Sequence, residues 1–279
     1  MEKKKHLIAI DLDGTALTDK KEISEQTRET LTKLMDEGHI VVIATGRSHR
    51  TSLQYYTNLA LNTPMINFNG AYIHHPTNNE WKITHTPLSR KTAINLLDDC
   101  YDLKVNNIIA KVANDVYIES EDNQLIEAFG KLQATKQFPP FKIGHIKEAL
   151  TEDPTSMLIF PKEIAVSELA QTLDSNFNKE VEHRNWGAPW HITEVTRKGI
   201  HKAVGLKQVA DYFGINREQI IAFGDGDNDV EMIDYAGIGV AMDNALPELK
   251  AVASHMTSTN EENGVSTFLE DYFQLKVTV

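Results

Sequence analysis

HLIAIDLDGT, at residues 6–15, is a short apolar run that ends in two acidic residues, Asp11 and Asp13. An uninterrupted apolar run of about four to eight residues is typical of a strand that is buried on both faces. The stretch therefore predicts a central strand of a sheet, with both carboxylates delivered where the strand ends.

Apolar runs that alternate with amphipathic helical patterns continue through the chain. They are IVVIATGR (40–47), PMINFNG (64–70), IIAFGD (220–225) and IGVAM (238–242). Strands that alternate with helices indicate a parallel sheet with helices on both of its faces. The sequence therefore predicts the α/β class, with a parallel sheet as the core.

The alternating pattern is interrupted in the middle of the chain, where helical segments lie between paired short strands. This second pattern is typical of a separate α+β unit, and 279 residues are enough for two domains. We predict that residues 1–85 form the first part of the core, 86–194 an inserted α+β cap domain, and 195–279 the second part of the core.

The composition excludes several classes of protein. The 28 Lys and Arg against 40 Asp and Glu give a net charge of −12, which argues against a nucleic-acid partner because binding to phosphate backbones needs clustered cations. No apolar run reaches the ~18 residues of a spanning helix, so no membrane partner is expected. The single cysteine, Cys100, excludes an internal disulfide and a cysteine-based zinc site. We expect a cytoplasmic protein that is a monomer or a weak homodimer.

Polar residues follow three of the predicted strands at the point where each strand ends. Asp11 and Asp13 follow the first strand, Thr45 follows the second, and Asp225 ends the strand at 220–225. In an open parallel sheet the ligand binds outside the carboxyl ends of the strands, so these side chains are expected to converge. Oxygen ligands suit Mg²⁺, which keeps several waters for substrate phosphate oxygens. The predicted metal ligands are therefore Asp11, Asp13 and Asp225.

A phosphate group fits the remaining polar groups at these strand ends. Thr45 offers a hydroxyl, and the backbone N–H groups of Leu12 and Gly46 can cradle phosphate oxygens. Lys198 precedes a predicted helix, where a cation opposes the helix dipole unless it shares a phosphate with the helix. The alternatives are a surface lysine and ordinary Asp-Gly turns. Turns explain the full pattern DxDGT poorly, because only about 0.002 chance matches are expected in a chain of this length.

Together the motifs closely resemble those of the haloacid dehalogenase (HAD) superfamily of phosphotransferases. DLDGT at 11–15 is similar to the first motif, Thr45 in VVIATGR to the second, Lys198 to the third, and GDGDND at 224–229 to the fourth. A cap of this length between the second and third motifs resembles the Cof-like group with type-IIB caps. The resemblance implies a Rossmann-like HAD core with an inserted α+β cap.

The resemblance also implies roles for the core residues. Asp11 would be the nucleophile that forms an aspartyl-phosphate. Asp13 would protonate the leaving oxygen and then activate water. Asp11 and Asp225 would hold Mg²⁺, with the backbone carbonyl of Asp13 as a further ligand. Asn228 would contact the phosphate.

The resemblance implies roles for further residues as well. Asp229 would orient Lys198 or a metal-bound water. Substrate identity is expected to lie with the cap. The candidates to face the substrate are Arg47, Trp186, Trp190 and His191. The alternative for the aromatic residues is packing within the cap, and the alternative for the arginine is a surface ion pair.

The predicted function is a Mg²⁺-dependent phosphatase that hydrolyses small phosphorylated metabolites through an aspartyl-phosphate. The substrate classes that the resemblance implies are sugar phosphates, pyridoxal phosphate, flavin mononucleotide and the phosphorylated ribitylamino-uracil intermediate of riboflavin synthesis. Residues 52–76 look most like the bacillus-type members that act on the uracil intermediate. Two alternatives remain at this point: a phosphomutase, which would return the phosphate to a sugar, and a metabolite-binding regulator without turnover.

Overall fold

The computed structural model describes residues 4–130, 140–187 and 191–275. The chain divides into two compact units. The core unit consists of the chain up to Arg47, Ser52–Ile83 and the chain from His201 onward. The cap unit consists of Ser48–Thr51 and Thr84–Ile200.

The secondary structure follows the alternation that the sequence predicts. The strands are β1 (Leu7–Ile10), β2 (Ile40–Ile43), β3 (Met65–Asn67), β4 (Tyr72–His74), β5 (Thr84–His85), β6 (Asn107–Val112), β7 (Asp115–Ile118), β8 (Lys142–Ile143), β9 (Ser156–Phe160), β10 (Val181–Asn185), β11 (Thr193–Arg197), β12 (Ile220–Gly224), β13 (Ile238–Ala241) and β14 (His255–Met256). The helices are α1 (Glu25–Asp36), α2 (His49–Asn58), α3 (Arg90–Asp102), α4 (Asn123–Gly130), α5 (Ile146–Ala149), α6 (Val166–Asn176), α7 (Lys202–Phe213), α8 (Val230–Tyr235), α9 (Pro247–Val252) and α10 (Gly264–Tyr272). Within the described residues, no helix has the length and apolar character needed to cross a bilayer.

The core unit is built on a parallel sheet of strand order β14-β13-β12-β1-β2. Every residue of β1, β2 and β12 is buried, as expected for strands that are covered on both faces. Leu7 of β1 lies opposite Ile220 on one side and Ile40 on the other. The predicted α/β class with a parallel core sheet is therefore confirmed.

The stretch predicted as a third strand, 64–70, is only partly extended. β3 ends at Asn67 and forms an antiparallel hairpin with β4. Between them the backbone of Phe68, Asn69 and Gly70 has positive φ angles of 49°, 53° and 98°. A Cβ at Gly70 would lie 2.6 Å from the His201 carbonyl oxygen, so this position needs glycine. The chain therefore turns back where the sequence pattern predicts a longer strand.

The cap unit is built on a second sheet, of order β10-β11-β9-β6-β7-β8. Its pairs are antiparallel except β7 with β8. One sheet face carries the apolar residues that pack with α3 and α6, such as Met157 and Ile159, while Leu158 and Phe160 lie on the other face. Because β11 belongs to this sheet and runs to Arg197, the core resumes at His201, beyond the predicted boundary at 195.

Candidate active site

The site begins at the carboxyl ends of three adjacent parallel strands. Asp11 follows β1, Thr45 lies just beyond β2, and Asp225 follows β12. These strands are neighbours in the sheet, so their ends lie side by side. The first residue of α7, Lys202, joins them from a helix rather than from a strand.

Lys202 is the centre of a buried ion-pair network. Its Nζ lies 2.7 Å from Oδ1 of Asp11 and 2.7 Å from Oδ1 of Asp229, and its side chain is 0% exposed. The other oxygen of Asp229, Oδ2, accepts hydrogen bonds from the backbone N–H groups of Asp225 (3.1 Å) and Gly226 (3.0 Å). Asp229 therefore ties the lysine to the loop that follows β12.

Lys202 takes the place that the sequence analysis assigns to Lys198, and that assignment is corrected. Lys198 follows β11 in the cap unit, where its Nζ lies 3.3 Å from Oε1 of Glu182 and its side chain is 51% exposed. The predicted helix starts too early in the chain. Since α7 begins only at Lys202, Lys198 does not lie at a helix N-terminus.

Three carboxylates of the core unit can share a cation. Asp11, Asp225 and Asp229 each place one oxygen within 4.8 Å of the others. Burial raises the pKa of Asp11 to about 8; the charges of Asp229 and Asp225 add to this, while Lys202 opposes it. Burial also raises the pKa of Asp225 to about 6, although a hydrogen bond of 2.8 Å from the Thr15 hydroxyl opposes it.

The donor set of this cluster fits Mg²⁺. The three carboxylates carry a formal charge of −3 and Lys202 carries +1, which leaves −2. Their ligand atoms are all oxygens, which a hard divalent cation prefers. The raised pKa values show that the buried negative charge is not fully compensated by the lysine alone.

The carboxylate of Asp13 lies apart from this cluster and is held by two cations. Arg47 donates from Nε to Oδ2 (2.6 Å) and from Nη2 to Oδ1 (2.7 Å), and Lys21 Nζ lies 2.9 Å from Oδ1. Burial alone would raise the pKa of Asp13, but the hydrogen bonds and charges of Arg47 and Lys21 outweigh it and lower the pKa to about 2. Arg47, which was predicted to contact the substrate, thus binds the carboxylate of Asp13, the predicted acid and base.

A group of small polar residues lies beside Thr45. The buried Thr45 hydroxyl accepts a hydrogen bond from the Arg47 N–H (3.2 Å), and its carbonyl accepts one from the Asn69 N–H (3.1 Å). Asn228 Nδ2 donates to Asn69 Oδ1 (2.9 Å). A Cβ at Gly46 would lie 3.2 Å from Asn69 Oδ1, so Gly46 is part of the same group. Asn69 is not among the predicted site residues, although an Asn-Gly pair after a buried strand is a signal for a turn with positive φ.

Glycine is required where the backbone approaches the carboxylates. Gly14 has φ +73°, and a Cβ there would lie 2.1 Å from Oδ2 of Asp225. A Cβ at Gly224 would lie 2.5 Å from Cγ of Asp229. Gly14 of DLDGT and Gly224 of GDGDND therefore make room for acidic side chains of the site.

The remaining candidates belong to the cap unit. Trp186 is about half exposed, and its backbone N–H donates to the Ile192 carbonyl at the connection between β10 and β11. His191 has φ +46°, and its backbone N–H donates to the Gly187 carbonyl. Trp190 lies outside the described residues. Their contact with substrate stays a prediction.

The profile of a family described as haloacid dehalogenase-like hydrolase matches residues 8–269. The chain belongs to this family. It is 46% identical over 275 residues to the 5-amino-6-(5-phospho-D-ribitylamino)uracil phosphatase YitU of Bacillus subtilis (strain 168), covering 99% of this chain and 100% of YitU. YcsE of the same organism carries the same phosphatase name and is 32% identical over 264 residues, covering 93% of this chain and 92% of YcsE. A haloacid dehalogenase-like hydrolase from Bacteroides thetaiotaomicron has a TM-score of 0.82 at 26% identity, covering 97% of this chain and 100% of that one.

These findings confirm the HAD resemblance, and the fold agrees with that of a HAD subclass IIB sugar phosphatase of known structure, at a TM-score of 0.81 and 23% identity. They also confirm the enzyme class, because the family is one of hydrolases and the relatives that span nearly the whole chain are phosphatases. This HAD member is therefore a phosphatase.

Proposed function

We propose that this protein is a Mg²⁺-dependent phosphatase that hydrolyses 5-amino-6-(5-phospho-D-ribitylamino)uracil through an aspartyl-phosphate on Asp11. The observation that carries the chemistry is the buried network of Asp11, Lys202 and Asp229 beside Asp225. The substrate is proposed from YitU, to which the chain is 46% identical over nearly its full length.

Asp11 suits the role of nucleophile because its two oxygens have different surroundings. Oδ1 is held by Lys202, whereas Oδ2 accepts no hydrogen bond from the described residues. In the first step Oδ2 forms a bond to phosphorus, and the bond from phosphorus to the ribityl oxygen breaks. In the second step water attacks that phosphorus, the carboxylate of Asp11 is restored and inorganic phosphate leaves.

Asp13 is assigned as the acid and base of these two steps. It gives a proton to the leaving ribityl oxygen and later takes one from the attacking water. A protonated Asp13 needs its pKa raised from the value of about 2 that Arg47 and Lys21 impose. The negative charge of a bound phosphate works in that direction, because it disfavours the ionised form of a neighbouring carboxylate.

Mg²⁺ would be held by the carboxylates of Asp11 and Asp225 and by the backbone carbonyl of Asp13. When bound, it neutralises the charge between the nucleophile and the phosphate. Asp229 is assigned a different role, since Lys202 and two backbone N–H groups already occupy both of its oxygens. It holds the lysine and the loop after β12 in place.

Phosphate binding is assigned to Thr45, Asn228 and Lys202, together with two backbone N–H groups. Those of Leu12 and Gly46 find no acceptor among the described residues, so they are available to phosphate oxygens. We further propose that the protein works in the cytoplasm on this small metabolite, as a monomer or weak homodimer, without nucleic-acid or membrane partners. The net charge of −12 and the free Cys100 support this.

The proposal is tested by free-phosphate release from a panel of the ribitylamino-uracil phosphate, flavin mononucleotide, pyridoxal phosphate and sugar phosphates. Each is measured with Mg²⁺, with EDTA, and with Asp11→Asn. Asp36→Asn is the matched control, because Asp36 is an exposed carboxylate at the end of α1. We expect Mg²⁺-dependent release, fastest for the uracil compound, that is lost in Asp11→Asn and retained in Asp36→Asn.

Other outcomes separate the alternatives. A sugar phosphate that is isomerised without release of phosphate would identify a mutase. Tight binding of these compounds with no turnover would identify a regulator. Substrate labelled with ³²P, followed by acid quenching, tests the covalent step: label must remain on the wild-type protein and be absent from Asp11→Asn.

A further inference from the structure

Asp13 is held by two cations that are themselves joined by one aromatic residue, Tyr55. The Tyr55 ring lies under the Arg47 guanidinium, with its centroid 5.2 Å from Cζ. Its hydroxyl donates a hydrogen bond to the Lys21 carbonyl (3.1 Å). Arg47 and Lys21 both bind the Asp13 carboxylate. We call Lys21, Arg47 and Tyr55 the Asp13 clamp.

Each part of the clamp is fixed by the fold. Tyr55 is buried on α2, where packing against the core surrounds its ring. Lys21 has φ +61°, a backbone conformation that L-residues rarely adopt, and its N–H donates to the Thr18 carbonyl (2.8 Å). The Tyr55 hydroxyl donates to the carbonyl of Lys21 within this turn, and the turn brings the Lys21 side chain to Asp13.

Asp13 needs such support because its own surroundings are open. Its side chain is 43% exposed. Among the described residues, its carboxylate is hydrogen-bonded by Arg47 and Lys21 and by no other side chain. A short carboxylate at the surface rotates freely unless its partners restrain it, and proton transfer requires a fixed orientation toward the reacting oxygen.

We propose that the Asp13 clamp positions the acid–base carboxylate of this enzyme, with Tyr55 as the residue that aligns both cations. The inference rests on the proposed function, because it assigns a task to Asp13 in the same reaction. Tyr55 and Lys21 are positioning residues, since they act through Asp13 and not on the substrate.

The proposal predicts a particular kind of defect. A misaligned acid slows the departure of poor leaving groups, which need a proton, more than that of good leaving groups, which do not. The slope of log kcat/KM against the pKa of the leaving alcohol or phenol therefore becomes steeper. A lost substrate contact, or a smaller fraction of folded enzyme, lowers kcat/KM for every compound by the same factor and leaves the slope unchanged.

The experiment measures this slope for a series of aryl and alkyl phosphates from p-nitrophenyl phosphate to the ribityl compound. The variants are Tyr55→Phe, which keeps the ring under Arg47 but removes the hydroxyl, and Arg47→Lys, which keeps the charge but removes the two-pronged contact. The control is Tyr56→Phe: Tyr56 is the neighbouring buried tyrosine, and its hydroxyl donates to the Thr63 carbonyl (2.9 Å), away from the clamp.

We expect Tyr55→Phe to lose on the order of fivefold in kcat/KM for alkyl phosphates, as one neutral hydrogen bond suggests, with little change for p-nitrophenyl phosphate. Arg47→Lys is expected to lose roughly 10- to 100-fold for alkyl phosphates, which is part of the roughly 100- to 10,000-fold that general acid catalysis supplies. Slopes that match the wild type in both variants, or an equal change in Tyr56→Phe, would overturn the clamp. A wild-type protein that hydrolyses none of the series overturns the proposed function, and the clamp with it.

Discussion

Replacement of Lys202 by methionine tests the centre of the site, because it removes a buried charge while keeping a side chain of similar length. The ammonium lies 2.7 Å from each of two carboxylate oxygens. At an effective dielectric constant of about 20, each contact corresponds to about 6 kcal/mol of attraction, most of which desolvation of the three groups offsets.

The net loss is expected to be smaller than these attractions. Removing one partner of a buried ion pair costs about 3–5 kcal/mol, because the remaining charge is left uncompensated. Asp11 has a pKa of about 8 with the lysine present, so in the metal-free protein it is protonated at neutral pH, and removal of the lysine leaves less uncompensated charge. We therefore expect Lys202→Met to lose roughly 3 kcal/mol in free energy of unfolding, along with phosphate release.

Lys198→Met is the matched control, since Lys198 has only a half-exposed ion pair with Glu182. Its expected loss is below about 1 kcal/mol, and its activity should remain. The assay is urea unfolding in EDTA, with circular dichroism as the signal for the whole chain. Alkylation of Cys100, the single cysteine, reports on the cap unit separately, which matters because two compact units need not unfold together. Equal losses in the two variants, or a change below 1 kcal/mol in Lys202→Met, would refute the reasoning.

Three further results are expected. Gly14→Ala should weaken Mg²⁺ binding, as measured by calorimetry, because the new Cβ displaces Asp225. Gly38→Ala is the control: Gly38 also has a positive φ, but a Cβ there meets no atom within 4 Å, so Mg²⁺ binding should be unchanged. Equal effects of the two substitutions would contradict this. Without metal, Asp11 keeps its proton up to about pH 8 in the folded protein, whereas the unfolded chain releases it near pH 4. In EDTA the free energy of unfolding therefore falls as the pH rises between these two values. The difference in Tm between Mg²⁺ and EDTA should therefore widen from pH 5 to 8, and a constant difference would contradict the assignment. Burial raises the pKa of Cys100 to about 12, so iodoacetamide should label it only after unfolding, as mass spectrometry can show.

Three residues of the site could be located from sequence because their positions follow from a simple rule. Buried parallel strands are recognisable as apolar runs, and the residues just after them must meet at one edge of the sheet. Asp11, Thr45 and Asp225 follow this rule. Asn69 does not, because it reaches Thr45 and Asn228 through a turn with successive positive φ angles, and a strand pattern carries no information on such a turn.

Lys202 was missed for a different reason, although the sequence contains a signal for it. Two lysines flank Gly199, and the start of the helix decides which one faces the core. Leu206 and Val209 lie on the buried face of α7, four and seven residues after Lys202, so the apolar stripe leads back to this lysine. Lys198 lies one further turn back, outside the helix. The helical periodicity of the apolar residues therefore identifies the lysine that faces the core, whereas helix capping does not.

The charges of the site divide into two parts that suit the two components of the proposed reaction. With all groups counted as ionised, Asp11, Asp225 and Asp229 against Lys202 give a formal charge of −3 + 1 = −2, whereas Asp13 against Lys21 and Arg47 gives −1 + 2 = +1. A divalent cation is attracted to the first part and a phosphate to the second. A phosphate anion next to these carboxylates would be repelled, and a divalent cation held by Asp11 and Asp225 would offset that repulsion. With their charge offset in this way, Asp11 could act as a nucleophile toward a negatively charged substrate.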